Sequence, residues 1–274
     1  MVNERLAVGT TSVIQRVLGP WSEPVASRVA GSLVGGLSGE RVVRRMGLTW
    51  ELDMVQNLEQ RLYAIGSYEA ATVRESLRRL HFGDVVLDVG ANVGTFSLPI
   101  AQNGYDVIAV EAASDTMVRL QRHVALNGLE AQVVIEHLAL GRNEGMVDLR
   151  SGASTDSGLR TIRGDGAVVE SVRLATGDDL MRQLDAHPAL VKIDVEGAEL
   201  DVLFGLESTL ALVRTVVVEL VDSHQVRAGT TADTVSEMLS DFGFVGFGIR
   251  ARGLRPWHGE PGNVLFARRE SALP

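Results

Sequence analysis

The 274-residue sequence contains no cysteine. That removes disulfides, thiolate metal sites, cysteine-ligated iron–sulfur clusters and a thiol nucleophile together. It has one lysine, Lys192, beside 25 arginines, so one position alone offers a compact ammonium where a guanidinium is otherwise the rule. Long hydrophobic runs are also missing. The clearest apolar stretches, 107–110 and 244–249, are strand-length and fall short of the ~18 residues of a membrane-spanning helix, so no transmembrane segment is expected. Near the start, Glu4 and Arg5 are followed by Thr10, Thr11 and Ser12. No signal-peptide apolar region is evident there, and a cytoplasmic location is expected.

Net charge is negative outside the first fifth of the chain. Residues 1–50 hold six Arg and three Glu, a net of +3, which leaves −12 for the remainder of a total of −9. Duplex binding rests on Lys and Arg contacts to phosphate, so nucleic acid is not an expected partner. The length suits one large domain or a domain with an appendage, and a hydrophobic fraction of 45% permits a full core.

Residues 3–46 read as two or three short helices, broken at Gly19-Pro20 and Gly35-Gly36, with Val25, Val29 and Leu33 at helical spacing. Residues 1–49 are therefore expected to form a helical N-terminal extension ahead of a domain at 50–274. Such an amphipathic extension suits a packing or dimerising arm, which would make the protein a homodimer, or a lid, or a membrane-surface contact. Residues 50–54 alternate as a short strand, and helices are predicted at 56–65 and 68–80. From residue 84 strand and helix alternate regularly. Strands are predicted at 84–89, 106–111, 132–137, 189–195, 215–221, 244–249 and 263–267, with helices at 95–103, 115–127, 177–185, 199–211 and 231–242. This rhythm implies an α/β fold, a mostly parallel sheet covered on both faces. Residues 144–174 interrupt it with two strand-like stretches around a Gly/Ser/Asp-rich loop, either an insertion at the mouth of the site or a β-ribbon.

The most informative segment is Val85-Val86-Leu87-Asp88-Val89-Gly90-Ala91-Asn92-Val93-Gly94. An apolar strand runs into a glycine turn and then a helix, whose first N–H groups are free donors. The position two after Gly90 is Asn92, so the Gly-x-Gly-x-x-Gly dinucleotide fingerprint fails. Asp88 also disfavours a pyrophosphate and suits a ligand with an ammonium group, such as the methionine part of S-adenosylmethionine. Glu111 ends the second strand 21 residues beyond Gly90. That is close to the ~20-residue separation at which an acidic residue grips a ribose hydroxyl.

The chain resembles the class I S-adenosylmethionine-dependent methyltransferases, specifically the FkbM family. The resemblance covers roughly residues 50–268 and rests on Gly66-Ser67-Tyr68-Glu69, the glycine loop from Asp88 to Gly94, Glu111, Leu138-Ala139-Leu140-Gly141, Val218-Glu219 and the run Val191-Lys192-Ile193-Asp194-Val195-Glu196-Gly197-Ala198-Glu199. It implies a Rossmann-like, seven-stranded sheet with a reversed last strand and methyl transfer to a hydroxyl oxygen of a sugar, glycan or polyketide-type natural product. It further implies that Asp88, Gly90, Ala91, Asn92 and Gly94 line the methionine part of S-adenosyl-L-methionine and Glu111 the ribose. His137 to Ala139 would lie near the adenine, and Glu69 would reach the cofactor's polar end.

An aliphatic hydroxyl is a poor nucleophile, and a positioned base typically contributes ~10²–10⁴-fold. Ligands of such sheets bind outside the carboxyl ends of strands, where Asp194 and Glu196 stand. They are the leading candidates for the base, with His224 in the loop after the fifth strand as a third. Lys192 lies two residues before Asp194, on the same side of the strand, and is placed to orient it. The bland reading of Asp194 and Glu196 is that they cap the following helix. His123 and His187 read as surface residues. Mg²⁺ held by Asp194, Glu196 and Glu219 is chemically open, but the spacing does not demand it and no metal site is assigned. The competing functions are amine methylation, a nicotinamide oxidoreductase that lacks its fingerprint, and a non-catalytic cofactor-binding scaffold. Acceptor specificity is expected in the 150–166 and 221–230 loops and the 251–262 hairpin.

Overall fold

A computed structural model describes residue 34 and residues 36–151, 160–161, 166–221 and 230–269. The chain opens with a hairpin, β1 (Glu40–Arg45) and β2 (Leu48–Asp53), then α1 (Asn57–Ile65) and α2 (Ala70–Leu77). The alternating part follows as β3 (Val85–Val89), α3 (Ser97–Gln102), β4 (Asp106–Glu111), α4 (Ser114–Leu126) and β5 (Val133–His137). A ribbon comprises β6 (Ala139–Leu140), β7 (Gly145–Ser151), β8 (Arg160–Thr161) and β9 (Val168–Ala175). Then come α5 (Gly177–Gln183), β10 (Pro188–Ile193), α6 (Glu199–Phe204), α7 (Glu207–Leu210), β11 (Thr215–Leu220), α8 (Ala232–Asp241), β12 (Phe244–Arg250), β13 (Gly253–Pro256) and β14 (Gly262–Arg268). Among the described residues no helix is long and apolar enough to cross a membrane.

The main sheet has the order β13-β12-β14-β11-β10-β3-β4-β5. Strands β11, β10, β3, β4 and β5 pair in parallel, while β14 runs antiparallel to both β11 and β12. From β3 the chain winds outward through β4 and β5, then returns to lay β10 and β11 on the other side. The crevice between β3 and β10 is thus the switch point where open α/β sheets hold ligands. The strand period of two sorts the core. Val86, Leu190 and Ala109 face a cluster with Phe96, Leu98, Trp50 and Leu62, whereas Leu87, Val89, Val191 and Ile193 face one with Leu180, Val202, Leu206 and Leu239.

Four expectations change. Eight strands replace the expected seven, because the 251–262 segment folds back as β13 onto β12. The helical reading of residues 3–46 does not hold over Glu40–Arg45, which is a strand. Its turn, Met46-Gly47, has positive φ at both residues (54° and 80°), the type I′ geometry that matches hairpin twist, without the Asn-Gly signal that usually betrays it. Leu48, Trp50 and Leu52 are buried in the domain's own core, so a boundary at 49/50 cuts through β2. The 199–211 helix is split at Gly205, where a Cβ would lie 2.1 Å from the Gly141 carbonyl oxygen. Residues 1–33, on which the expected arm and its dimer rest, lie outside the described residues.

The fourth change concerns His123, which is 1% exposed rather than a surface residue. Its Nδ1 lies 2.9 Å from the Val93 carbonyl oxygen, and its Nε2 lies 3.2 Å from the Glu51 nitrogen and 3.0 Å from the Glu51 carbonyl oxygen, so the ring bonds to both segments in either tautomer. It ties the hairpin to the glycine loop. Glu59 of α1 adds a second tie by pairing with Arg119 of α4. The N-terminal hairpin and α1 are thereby fixed over the crevice.

Candidate active site

At the crevice the backbone does the first shaping. Gly90 has φ +81°, and a Cβ there would lie 1.9 Å from the Asp194 carbonyl oxygen. Only glycine lets the β3 and β10 loops approach this closely. The Asp194 N–H donates to the Val89 carbonyl at 3.0 Å, and the N–H groups of Gly90 and Ala91 both donate to that of Val110 at 3.0 Å. Gly94, at φ +93°, brings the loop against Leu98 and Leu120, where a Cβ would sit 2.2 Å and 2.8 Å from their methyls. Glu111 closes the turn from the β4 side. Its Oε2 accepts the Asn92 N–H and its Oε1 the Ala113 N–H, each at 2.8 Å. Burial pushes its carboxyl above the ordinary carboxylate range, against these two N–H donors.

A cavity of about 390 Å³ lies over this turn, within the range of small-ligand pockets. Among the predicted site residues, Glu69, Gly90, Ala91, Asn92, Glu111, Ala139, Asp194 and Glu196 line it. Asp88 and Gly94 stand behind the wall. His137 is also outside it, its Nε2 3.0 Å from the Ala112 carbonyl, while its neighbours Leu138 and Leu140 do line the cavity. His224 lies outside the described residues. The ribbon contributes Leu149 to the wall, so the interruption of the strand–helix rhythm is both a β-ribbon and part of the site.

The far end of the cavity is built from side chains. Lys192 pairs in register with Asp88 on the neighbouring strand, so both side chains point to one face of the sheet. The lysine is 2% exposed, and its Nζ donates to Asp194 Oδ2 at 3.0 Å. It also lies 3.8 Å from Glu69 Oε1 and from Asp88 Oδ1. Asp88 is fully buried and takes the Ser97 hydroxyl on Oδ2 at 2.5 Å. Its Oδ1 faces the lysine from behind the cavity wall. Burial alone would pull the Lys192 ammonium down, but Asp194, Glu69 and Asp88 outweigh it and hold it well above the ordinary lysine value.

Four carboxyl groups, with Glu219 the fourth, cannot all stay charged around one ammonium. The adjacent Asp194 charge, then burial, pushes Glu219 up to about 9, with a side-chain hydrogen bond between the two acids contributing in the same direction. Burial raises Glu69 to about 7, with Lys192 opposing and Asp194 and Asp88 adding. At neutral pH Glu219 therefore keeps its proton. Glu69 takes a left-handed conformation, φ 52°, at the start of α2, and accepts from Asn263 Nδ2 at 3.4 Å. Among the described residues no group of three or more His, Asp or Glu is arranged to hold a metal ion; this acidic cluster is organised around an ammonium.

Sequence reasoning named Glu219 within the family resemblance and as a possible metal ligand; the β10–β11 register, with Lys192 opposite Val217, puts it on the Lys192 side. Tyr68, part of the Gly66–Glu69 motif, also lines the cavity, as does Arg61, which gave no signal because it reaches the cavity from α1.

This strand order, with its reversed strand beside a switch-point cavity bounded by a glycine turn and an acid at the second strand tip, is that of a class I S-adenosylmethionine-dependent methyltransferase. More particularly, the chain belongs to the FkbM methyltransferase family: the Methyltransferase FkbM domain matches residues 88–245. It is 28% identical over 174 residues to the hexuronic acid methyltransferase AglP of Haloferax volcanii, covering 63% of this chain and 68% of that protein. It is 28% identical over 267 residues to the methyltransferase sdnD of Sordaria araneosa, covering 82% of this chain and all of that protein. Among solved structures, the magnesium protoporphyrin IX methyltransferase ChlM from Synechocystis with bound SAM matches at a TM-score of 0.43 and 15% identity, over 72% of this chain and 75% of that one.

S-adenosylmethionine is the cofactor of this family, and the residues present fit it. The Cβ-free approach at Gly90 leaves backbone at the cavity floor, and Glu111 lines the cavity at the tip of the second strand. The other carboxylates of the wall give the negative field that a sulfonium and an ammonium require.

Proposed function

We propose that the chain transfers the methyl group of S-adenosylmethionine to a hydroxyl oxygen of a small molecule, a sugar, glycan or polyketide-type natural product, with Asp194 as the base. The observation that carries this reading is the Lys192-held Asp194 carboxylate on the cavity wall, next to a second acid, Glu219. The hexuronic acid methyltransferase among its relatives supports a sugar-like acceptor.

Bound S-adenosylmethionine supplies a methyl group activated by the sulfonium charge, and S-adenosylhomocysteine is the leaving product. The protein's part is to align the acceptor oxygen and receive its proton. Positioning of this kind is worth up to ~7–11 kcal/mol of a barrier. Lys192 fixes one Asp194 oxygen and leaves the carboxylate's remaining lone pairs for the hydroxyl proton. Glu219 holds its own proton against Asp194 and so limits the repulsion between the two acids. Glu196, at φ +51° ahead of Gly197 at φ +105°, shapes the same wall. The cofactor-binding roles follow the wall: Gly90, Ala91 and Asn92 hold the methionine part, Glu111 the ribose, and Leu138 and Ala139 the adenine.

The test is methyl transfer from methyl-labelled S-adenosylmethionine to a panel of neutral and acidic sugars, with Asp194→Asn in parallel. The product should be a methyl ether, and the variant should lose about 10²–10⁴-fold in kcat. Methylation on nitrogen, or full turnover by Asp194→Asn, would sink the reading.

A further inference from the structure

The charged wall of the cavity is acidic with two exceptions. Glu69, Glu111, Asp194, Glu196 and Glu219 supply the carboxyl groups, and Lys192 and Arg61 the cations. Lys192 is committed to three carboxylates. Arg61, on the exposed side of α1, is not. Among the described residues its guanidinium lies over the ring of Tyr68, whose centroid is 5.0 Å from the guanidinium carbon. A stacked guanidinium keeps its N–H edge free while its plane is held. Tyr68 lies between Arg61 and the acids: burial first, then the charges of Glu69 and Asp194, raise its phenol well above the ordinary value. A fork of N–H donors over the Tyr68 ring thus borders an otherwise acidic cavity, with no carboxylate partner of its own among the described residues.

We propose that Arg61 is the anion-binding residue of this cavity and takes the carboxylate of a bound ligand in a bidentate pair. That carboxylate belongs either to the amino-acid end of the cofactor or to the acceptor. The cofactor branch rests on the methyltransferase assignment alone, and the acceptor branch rests on the proposed function. A guanidinium suits this task better than an ammonium because its parallel N–H groups match the two carboxylate oxygens. It also gives an anionic ligand one favourable contact in a field that otherwise repels it.

Two matched ligand pairs test this by calorimetry on the whole chain. S-adenosylhomocysteine and 5′-methylthioadenosine share the nucleoside and thioether but differ in the amino-acid end. Methyl glucuronoside and methyl glucoside, titrated into protein saturated with S-adenosylhomocysteine, differ in one carboxylate. Arg61→Met should weaken the carboxylate-bearing member of one pair by about tenfold to a hundredfold, the scale of a lost hydrogen bond to a charged group. Its carboxylate-free twin should change less than about twofold. Arg61→Lys, which keeps the charge and loses the fork, should fall between. An effect within the first pair assigns the cofactor's carboxylate, and an effect within the second the acceptor's. Equal binding of both members of both pairs by wild type and Arg61→Met overturns the proposal, provided thermal unfolding shows both folded. The hydroxyl-transfer reading fails separately, if no oxygen methylation occurs while these binding differences stand.

Discussion

The two ends of the cavity are made in different ways. At the tips of β3 and β4 the site is backbone: Gly90 permits an approach that a Cβ would block, and Glu111 is spent largely on two N–H groups of neighbouring loops. At the tips of β10 and β11 it is side chain: one buried ammonium, three carboxylates about it and a fourth sharing a proton. A backbone-built site depends on where the chain can go, so its substitution costs are steric. A charge-built site depends on which groups converge, so its costs are electrostatic and change with pH.

Lys192→Met breaks the charge-built end most severely. It leaves the buried Asp88 and Glu69, and the partly exposed Asp194 beside them, without their cation. Unpairing of this kind costs about 3–5 kcal/mol, and chemical denaturation at pH 7 should show it. The deficit should shrink at lower pH, as the orphaned carboxyls take up protons. An undiminished deficit in acid would mean that the lysine acts through packing against Phe96, 5.5 Å from its Nζ.

Gly90→Ala probes the backbone-built end, with Gly104→Ala as its control. Both glycines have left-handed backbones, φ +81° and +89°, but a Cβ at Gly104 meets nothing within 4 Å. The control should cost about 1 kcal/mol. Gly90→Ala should cost a further 1–3 kcal/mol or so for the overpacking, and should lose cofactor affinity as well. Equal costs at the two positions would show that the loops part easily.

Glu219→Gln gives the sharpest sign. The folded carboxyl is raised to about 9 from an ordinary value of 4.5. Its stabilising contribution is therefore fully present below about pH 4.5 and is lost as pH rises toward 9. The amide mimics the protonated acid, so wild type and variant should be nearly equal at low pH. The variant should become the more stable of the two as pH approaches 9, read as unfolding midpoints across that range. Parallel curves for the two proteins would contradict the proton-sharing arrangement.

This contrast also explains what could be read from sequence. The β3–α3–β4 unit announces itself because strand, glycine turn and helix are contiguous, and the span from Gly90 to Glu111 follows from chain geometry. Predicted and observed strands agree within a residue or two for β3, β4, β5, β10, β11, β12 and β14. Lys192 and Asp194 were legible as a pair because they sit two apart on one strand. Their link to Asp88 needs the β3–β10 register, and the contribution of Glu69 needs the turn before α2. His123 looked like a solvated helix residue because its partners, Val93 and Glu51, lie 30 and 72 residues away. The first strand of the 40–53 hairpin was hidden by a Met-Gly turn and by Val and Arg residues that suit either element. Arg61 carried no local signal at all.

The most direct test of the division is calorimetric titration of S-adenosylmethionine and S-adenosylhomocysteine into wild type, Glu111→Ala and Asp194→Asn. Wild type should bind both ligands. Glu111→Ala should lose most of that affinity while remaining folded, and Asp194→Asn should keep S-adenosylhomocysteine affinity within a few-fold. The reverse pattern, with cofactor binding intact in Glu111→Ala and abolished in Asp194→Asn, would contradict the assignment of the β3–β4 end to the cofactor and the β10–β11 end to the acceptor.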